Sequence, residues 1–374
     1  WEVPMHFGGG WEGAPSIRWK PWSAQVRAEC LAARDAAVLL DQSMYAKILV
    51  QGPDAVRALN RVCGAQMDVS VGTSVYTQFL NARGGIEADV TVTRIAPSQF
   101  MVITGHPSQM RDPQHIKAHA DPDWRFELFD ATSAYGLLTL HGPKARAILQ
   151  AISGDDLSNA VFPFGAAREI DIAHARGWAI RRSFLGELGY ELLAPTEFIA
   201  GIHEALTDAG APHGLRHMGM FAMNACRLEK GFRHFGHDIG EEDTPLETGL
   251  GFAVDLSKPD FIGKAALAAQ KAGGVPKNRT VVLHVPGLTA ETGPYLIHNE
   301  PLWKNGRIVG HVTSGDWGFR VDKMIGLASL ENPDGVSKDW IDQGGFTVQI
   351  AGQMWPAQLQ LAPLYDPAGE RMRG

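Results

Sequence analysis

The sequence predicts an α+β chain in three units: two related α+β units packed together, then a C-terminal antiparallel β-barrel or jelly-roll unit. Three observations carry this. Strand-like and helical runs alternate twice over before residue 230. After Lys271–Pro276 the texture changes to short apolar alternations separated by Gly, Pro and Asn. Between them lies a well-specified stretch, Met223–Leu267. It opens as a helix, with Ala222, Ala225, Cys226 and Leu228 at helical spacing, and breaks at Gly231. An irregular, charged segment follows, Thr244-Pro245 starts a new turn, and Asp260 is placed to cap a helix beginning at Phe261 and Ile262.

Composition sets outer bounds. The 374 residues can hold two or three packed units, and 45% hydrophobic with 20% charged residues is ordinary for a globular protein. No apolar run reaches the length of a membrane span. A net charge of −7 argues against nucleic acid as the main partner, because phosphate contacts need a basic face. Cys30, Cys63 and Cys226 sit among apolar neighbours and read as buried thiols in a reducing compartment. The first residue is Trp1, so the chain is expected to be processed or cut from something longer.

In order along the chain, Gly8, Gly10 and Gly13 satisfy G-x-G-x-x-G by letter. The flanking Pro4, Pro15 and Pro21 deny the strand and helix that a dinucleotide site requires, so the segment reads as a linker. Gln25–Leu40 reads as a helix, Tyr45–Val50 as a strand, and Pro53 opens a helix through Cys63. Three strands follow: Tyr76–Leu80, Ile86–Ile95 and Phe100–Thr104. Alternation in the middle one places Glu87 and Asp89 on a single face, which by itself is an ordinary exposed sheet face. His106–His119 reads as helix, Trp124–Leu128 and Tyr135–Leu140 as strands, and Lys144–Ile152 as helix after Gly142-Pro143. Glu169–Ala173, Gly177–Ser183 and Tyr190–Ala194 form a further small sheet. His234 and His237 have ligand-like spacing, but no third or fourth ligand accompanies them, so no metal is expected. The last unit should contain Val281–Val285, Arg307–Thr313, Met324–Ala328, Phe346–Ile350 and Gln358–Leu361 as strands.

Several motifs together resemble the glycine-cleavage T-protein (aminomethyltransferase, GcvT-like) family. Arg227, Leu228, Glu229, Gly231 and Arg233 match its R-L-E-x-G-x-R. Gly236, His237 and Asp238 match Y-G-H-D-I, Thr244, Pro245, Glu247 and Gly249 match T-P-L-E-x-G-L, and Phe261–Lys264 matches the closing F-I-G-K. Ala222–Asn224 and Glu229–Arg233 look more like one branch, the folate-binding C-terminal half of dimethylglycine and sarcosine dehydrogenases. Trp1–Phe7 likewise resembles the W-E-R-P-x-W-F linker after their flavin half. The resemblance implies a three-unit cloverleaf of two ferredoxin-like α+β units and the barrel. The divisions would fall at a linker-like segment, 1–22, a folate-binding region, 23–275, and the barrel, 276–374.

The same resemblance implies a site. Asp89 falls on the aspartate of the catalytic G-G-x-x-x-D-[LV] strand, and Tyr76 on the tyrosine that packs near the pterin. Phe184–Glu191 resembles Y-T-G-E-x-G-x-E, so Glu191 would hold the pterin through two parallel hydrogen bonds from a ring N–H and its amino group. Phe184 replaces the usual tyrosine there, and Glu187 is as well explained by stabilising the turn. Tyr45, within the Asp41-x-Ser43-x-x-x-Lys47 turn, would line the pocket or be core, and Arg227 would contact the cofactor. Thr313-Ser314-Gly315 matches a T-S-G turn directed at the cleft.

The implied activity is transfer of a one-carbon group from a methylated amine such as dimethylglycine or sarcosine to N5 of tetrahydrofolate, giving 5,10-methylenetetrahydrofolate. Its implied partners are the small methylated donor, tetrahydrofolate and an upstream flavin-binding domain or subunit. FAD enters only with that upstream portion. The cytoplasm, or the mitochondrial matrix in a eukaryote, is the implied location. Two alternatives stay open: a stand-alone folate-dependent O-, S- or N-demethylase, and a non-catalytic folate-binding accessory module. The glycine-cleavage enzyme itself fits poorly, since Met223-Asn224 stands where it carries an arginine–aspartate pair.

Overall fold

The computed structural model describes residues 1–9 and 13–374, and Gly10 of the N-terminal glycine triplet lies outside them. The N-terminal arm is held against the body: the Pro4 and Met5 carbonyls accept from the Met220 and Phe221 amides, and the Phe7 N–H donates to Glu29 at 2.6 Å. The first helix begins only at Ser23.

The chain then runs α1 (Ser23–Asp35), β1 (Ala37–Asp41), β2 (Ala46–Gln51), α2 (Ala55–Val62), β3 (Ser74–Leu80), β4 (Ile86–Ala96), β5 (Gln99–Thr104), α3 (Arg111–His119) and β6 (Glu127–Asp130). Next come β7 (Tyr135–His141), α4 (Ala145–Gln150), β8 (Ala167–Ile172), β9 (Ala175–Ile180), β10 (Gly189–Pro195), α5 (Ile199–Gly210), β11 (Leu215–His217) and α6 (Met220–Glu229). The remainder is α7 (Lys264–Ala272), β12 (Asn278–Val285), β13 (Pro301–Lys304), β14 (Arg307–Gly318), β15 (Lys323–Glu331), α8 (Lys338–Asp342), β16 (Phe346–Ile350), β17 (Gln353–Gln360) and α9 (Glu370–Arg373).

These strands form a five-stranded sheet, β3-β4-β5-β2-β6, a six-stranded sheet, β11-β1-β7-β10-β9-β8, and a closed antiparallel barrel, β12-β15-β14-β13-β16-β17. The barrel form, with no free edge, is what the C-terminal alternation produces. Each open sheet is backed by helices on one face. Leu59 and Val62 of α2 and Ile116 of α3 cover Ile48, Val90 and Val92. Ile148 of α4 and Ile202 and Leu206 of α5 cover Leu138, Leu140 and Leu192. The other faces meet where Met101 and Ile103 of β5 pack on Leu137, Ile180 and Leu193. Helices α1 and α6 wedge against the barrel through Cys30, Ala33, Ala222 and Cys226.

The departures from expectation have local causes. The run Gln25–Leu40 divides after Asp35, and its end becomes β1, whose residues Ala37–Leu40 are all buried. A strand buried on both faces has no alternation and cannot be told from a helix by periodicity. That strand completes the second sheet, parallel to β11 and antiparallel to β7. Trp124 lies ahead of the strand expected at Trp124–Leu128, which begins at Glu127. Asp260 caps no helix: α7 starts after Gly263, whose φ is +81°, and Asp260 is an exposed partner of Arg61. Thr313 and Ser314 lie within β14 at a register shift rather than in a turn. β17 begins earlier than expected, across a two-residue loop in which Ala351 and Gly352 both have positive φ. Helix α5 and strands β11 and β13 had no counterpart in the sequence reading.

Candidate active site

The alternation of β4 builds the first half of the site. Ala88, Val90 and Val92 face the helices, so Glu87 and Asp89 turn to the opposite face. Gln78 on β3 is in register with Asp89 and donates Nε2–H to its Oδ1 at 2.9 Å, leaving its own Oε1 enclosed without a partner. Burial pushes the Asp89 carboxyl up to about 6, against the opposing effects of the Gln78 and Tyr76 hydrogen bonds and the Arg233 charge. The Tyr76 ring stacks on Phe252 at 6.0 Å, and Phe252 is 79% exposed, so a flat aromatic surface lies open beside the carboxyl.

The second half comes from β10. Glu191 pairs across to Thr139 and Ile180. Burial pushes its carboxyl up to about 7, with the Arg182 charge opposing. Among the described residues no side chain or backbone N–H donates to Glu191. Tyr45 stands close enough to Glu191 that burial and this carboxyl together push its hydroxyl up to about 12. Tyr45 also packs on the Met101–Leu193 cluster, so it is wall and core at once. Arg182, anchored on the Ser74 hydroxyl and carbonyl, is a charge neighbour of both Glu191 and Tyr76. Tyr76 and Arg182 thus join the two carboxyls into one site.

Asp89, Glu191, Tyr45, Tyr76, Arg182 and Arg233 share a property. Burial is the leading influence on each one's acidity, yet none is fully buried. Protein surrounds these side chains while solvent still reaches them. That is the geometry of a cleft.

Arg227 is different. Its guanidinium donates to Asn224 Oδ1 from Nε and Nη2, to the Phe232 carbonyl and Asp238 from Nη1, and to Ser314 Oγ from Nη2. All five N–H groups are engaged, so Arg227 holds the loop in place and has no N–H left to donate to a ligand. Asp238 in turn accepts from the His234 N–H and from Thr313 at 2.6 Å, which is what Thr313 and Ser314 contribute. Phe184 stacks on Phe232 at 6.1 Å and packs on the barrel-side core. Glu187 does more than stabilise a turn: it accepts from Arg320, Tyr365 and Arg371, while Arg320 also pairs with Glu229 and donates to the Leu185 and Cys226 carbonyls. This buried network ties α6, the barrel and the C-terminal segment together.

The rings of His234 and His237 lie 4.6 Å apart, and among the described residues no three His, Cys, Asp or Glu side chains form a group able to hold a metal. Cys30, Cys63 and Cys226 are buried free thiols. No described helix is long and apolar enough to cross a membrane.

The family model described as the GCVT N-terminal domain matches residues 1–258, and that of the glycine cleavage T-protein C-terminal barrel domain matches 284–366. The chain belongs to the glycine-cleavage T-protein family. The glycine cleavage system aminomethyltransferase T from Bartonella henselae superposes with a TM-score of 0.80 at 25% identity, covering 92% of this chain and 90% of that one. Among family relatives, the formaldehyde-forming 4-methylaminobutanoate oxidase of Paenarthrobacter nicotinovorans is 37% identical over 97% of this chain and 44% of its own length. Human sarcosine dehydrogenase is 34% identical over 95% of this chain and 40% of its own length, and human dimethylglycine dehydrogenase 33% over 100% and 43%. The chain therefore spans less than half the length of these relatives.

Sequence reasoning missed Arg182, Arg233, Gln78 and Phe252 as cleft residues. Gln78 could have been found from pairing two adjacent strands about the Arg83–Gly85 turn, which sets it opposite Asp89. Arg182 and Arg233 carried no such signal, because their neighbours come from other elements of the fold.

Proposed function

We propose that the cleft binds tetrahydrofolate and catalyses one-carbon transfer from a methylated amine. The observation that carries this is Glu191: a carboxyl enclosed by protein, pushed up to about 7 by burial and met by no donor among the described residues. Leaving such a group unmatched is costly, and a ligand presenting two parallel N–H donors removes the cost. A pterin has that edge. Reduced folate supplies the nucleophilic N5 amine. This would take up the carbon once the N-methyl group has been oxidised by two electrons to an iminium, the oxidation an upstream flavin-binding portion would supply. Closure through N10 then releases the demethylated amine and a proton and leaves 5,10-methylenetetrahydrofolate.

The chain's own residues then have definite parts. Glu191 binds and orients the pterin, Tyr45 walls it, and Tyr76 with Phe252 gives it an aromatic face. Asp89, aimed by Gln78 and Tyr76, places a negative charge beside a cationic donor, and with a pKa of about 6 it can also take the amine proton. Membership of the glycine-cleavage T-protein family and relatives whose names denote oxidation of N-methylated amino acids support this reading. They also favour a place as the folate half of a longer flavin-dependent demethylating enzyme. FAD would then belong to the upstream portion: among the described residues, neither a strand before Gly8 nor a helix directly after Gly13 is present to cradle a dinucleotide.

The test is a calorimetric titration of this chain with tetrahydrofolate beside Glu191→Gln. One site in the wild type, weakened about a hundredfold in the variant, is expected. A well-folded wild type that takes up no folate would overturn the proposal.

A further inference from the structure

Arg233, at the edge of the cleft, has no ion pair among the described residues. It follows the α6 terminus across Gly231, whose φ is +66°, and its Nη1 donates to the Gly231 carbonyl. That is its one hydrogen bond among the described residues. Among the described residues its Nε is enclosed with no acceptor, and no carboxylate lies within ion-pairing distance. The neighbouring buried arginines are treated otherwise: Arg227 is paired with Asp238, and Arg320 with Glu187 and Glu229. Arg233 nevertheless keeps accessible surface, and its charge acts on both Asp89 and Tyr76. Gly249, with φ +75°, leaves it room, since a Cβ there would stand 3.0 Å from Nη2. A guanidinium enclosed with most of its donors unused is expensive unless an anion completes it.

We propose that Arg233 receives the carboxylate of the one-carbon donor. Together with Asp89, which faces the cationic nitrogen, it makes the cleft selective for an N-methylated amino acid over a simple methylated amine. This rests on the folate reading of the same cleft and names its donor class. A planar carboxylate suits the guanidinium fork, because two parallel N–H donors can meet its two oxygens. Folate's own glutamyl carboxylates are the other source of the same chemistry, and the experiment separates them.

The chain is first titrated with 5-formyltetrahydrofolate, then, saturated with it, with dimethylglycine and with the methyl ester of dimethylglycine. The wild type is expected to bind the acid at least tenfold more tightly than the ester. Arg233→Gln should abolish that preference while folate affinity stays within threefold, and Arg233→Lys should keep part of it. Thermal melts report whether each variant is folded. Equal binding of acid and ester by the wild type, or an unchanged preference in a folded Arg233→Gln, would overturn the proposal. So would a variant that loses folate affinity but keeps the preference, which would assign Arg233 to the glutamyl tail. If the wild type takes up no folate at all, it is the folate reading that fails, and the acid–ester comparison without folate still decides the role of Arg233.

Discussion

Replacing Glu191 with Gln keeps the shape of the side chain and removes its charge, and the consequences can be worked out. Enclosure raises the carboxyl from its ordinary 4.5 to about 7, so between those values the folded chain holds a proton that the unfolded chain has released. Stability contributed by this group is therefore greatest below the ordinary carboxylate range and falls as pH rises toward 7. At pH 8 the ionised carboxyl costs up to about 3 kcal/mol, and solvent in the cleft reduces this to about 1–2 kcal/mol. Glu191→Gln removes that cost, so the free variant should be more stable than wild type at pH 8 and equal to it near pH 4. Binding should move the other way. Two charge-assisted hydrogen bonds at about 1.5 kcal/mol each amount to about 3 kcal/mol, or a loss of about 150-fold in tetrahydrofolate affinity. Because the ionised form is the acceptor, wild-type affinity should fall about tenfold per pH unit below 7. Calorimetry across pH 5.5–8.5 in two buffers of different ionisation enthalpy should count about one proton released near pH 6 and none at 8.5. A wild-type affinity flat with pH, or a variant within threefold of wild type, would refute the reasoning.

Two further outcomes follow from the same geometry. Asp89→Asn should leave folate affinity within a few-fold but slow one-carbon transfer in single-turnover assays. A unit charge at 4 Å and an effective dielectric of 20 is worth about 4 kcal/mol, so the loss should be roughly a thousandfold. Arg320→Met should leave the buried Glu229 without its cation and Glu187 with Arg371 alone, costing about 3–5 kcal/mol in denaturant unfolding. An unchanged midpoint would mean that this network does not hold the barrel to the rest of the chain.

What the sequence made legible was whatever local periodicity encodes. The alternation of Ile86–Ala96 set Asp89 on one face of its sheet, whereas β10 is buried on both faces and Glu191 was legible only through the resemblance of Phe184–Glu191 to a family motif. The barrel was legible from its turns, even without β13. Helix α5 was not seen because no side chain caps it, although Ile202, Leu206 and Gly210 do carry a four-residue spacing. β1 hid inside an apparent helix because Ala37–Leu40 alternates on neither face. The engagement of Arg227 was not legible for a different reason. Whether an arginine is engaged or available depends on what surrounds it, and Asp238, Ser314 and the Phe232 carbonyl are placed around Arg227 only by the fold. Arg233 lies in the same motif and has almost none of those partners.

The proposed seat of reduced folate lies between Glu191 and Asp89. A crystal structure of the chain with 5-formyltetrahydrofolate should show the pterin N–H edge on the Glu191 carboxylate and the N5 side of the ring toward Asp89. A pterin seated elsewhere, such as the groove of about 510 Å³ between Phe7 and His217, would contradict it.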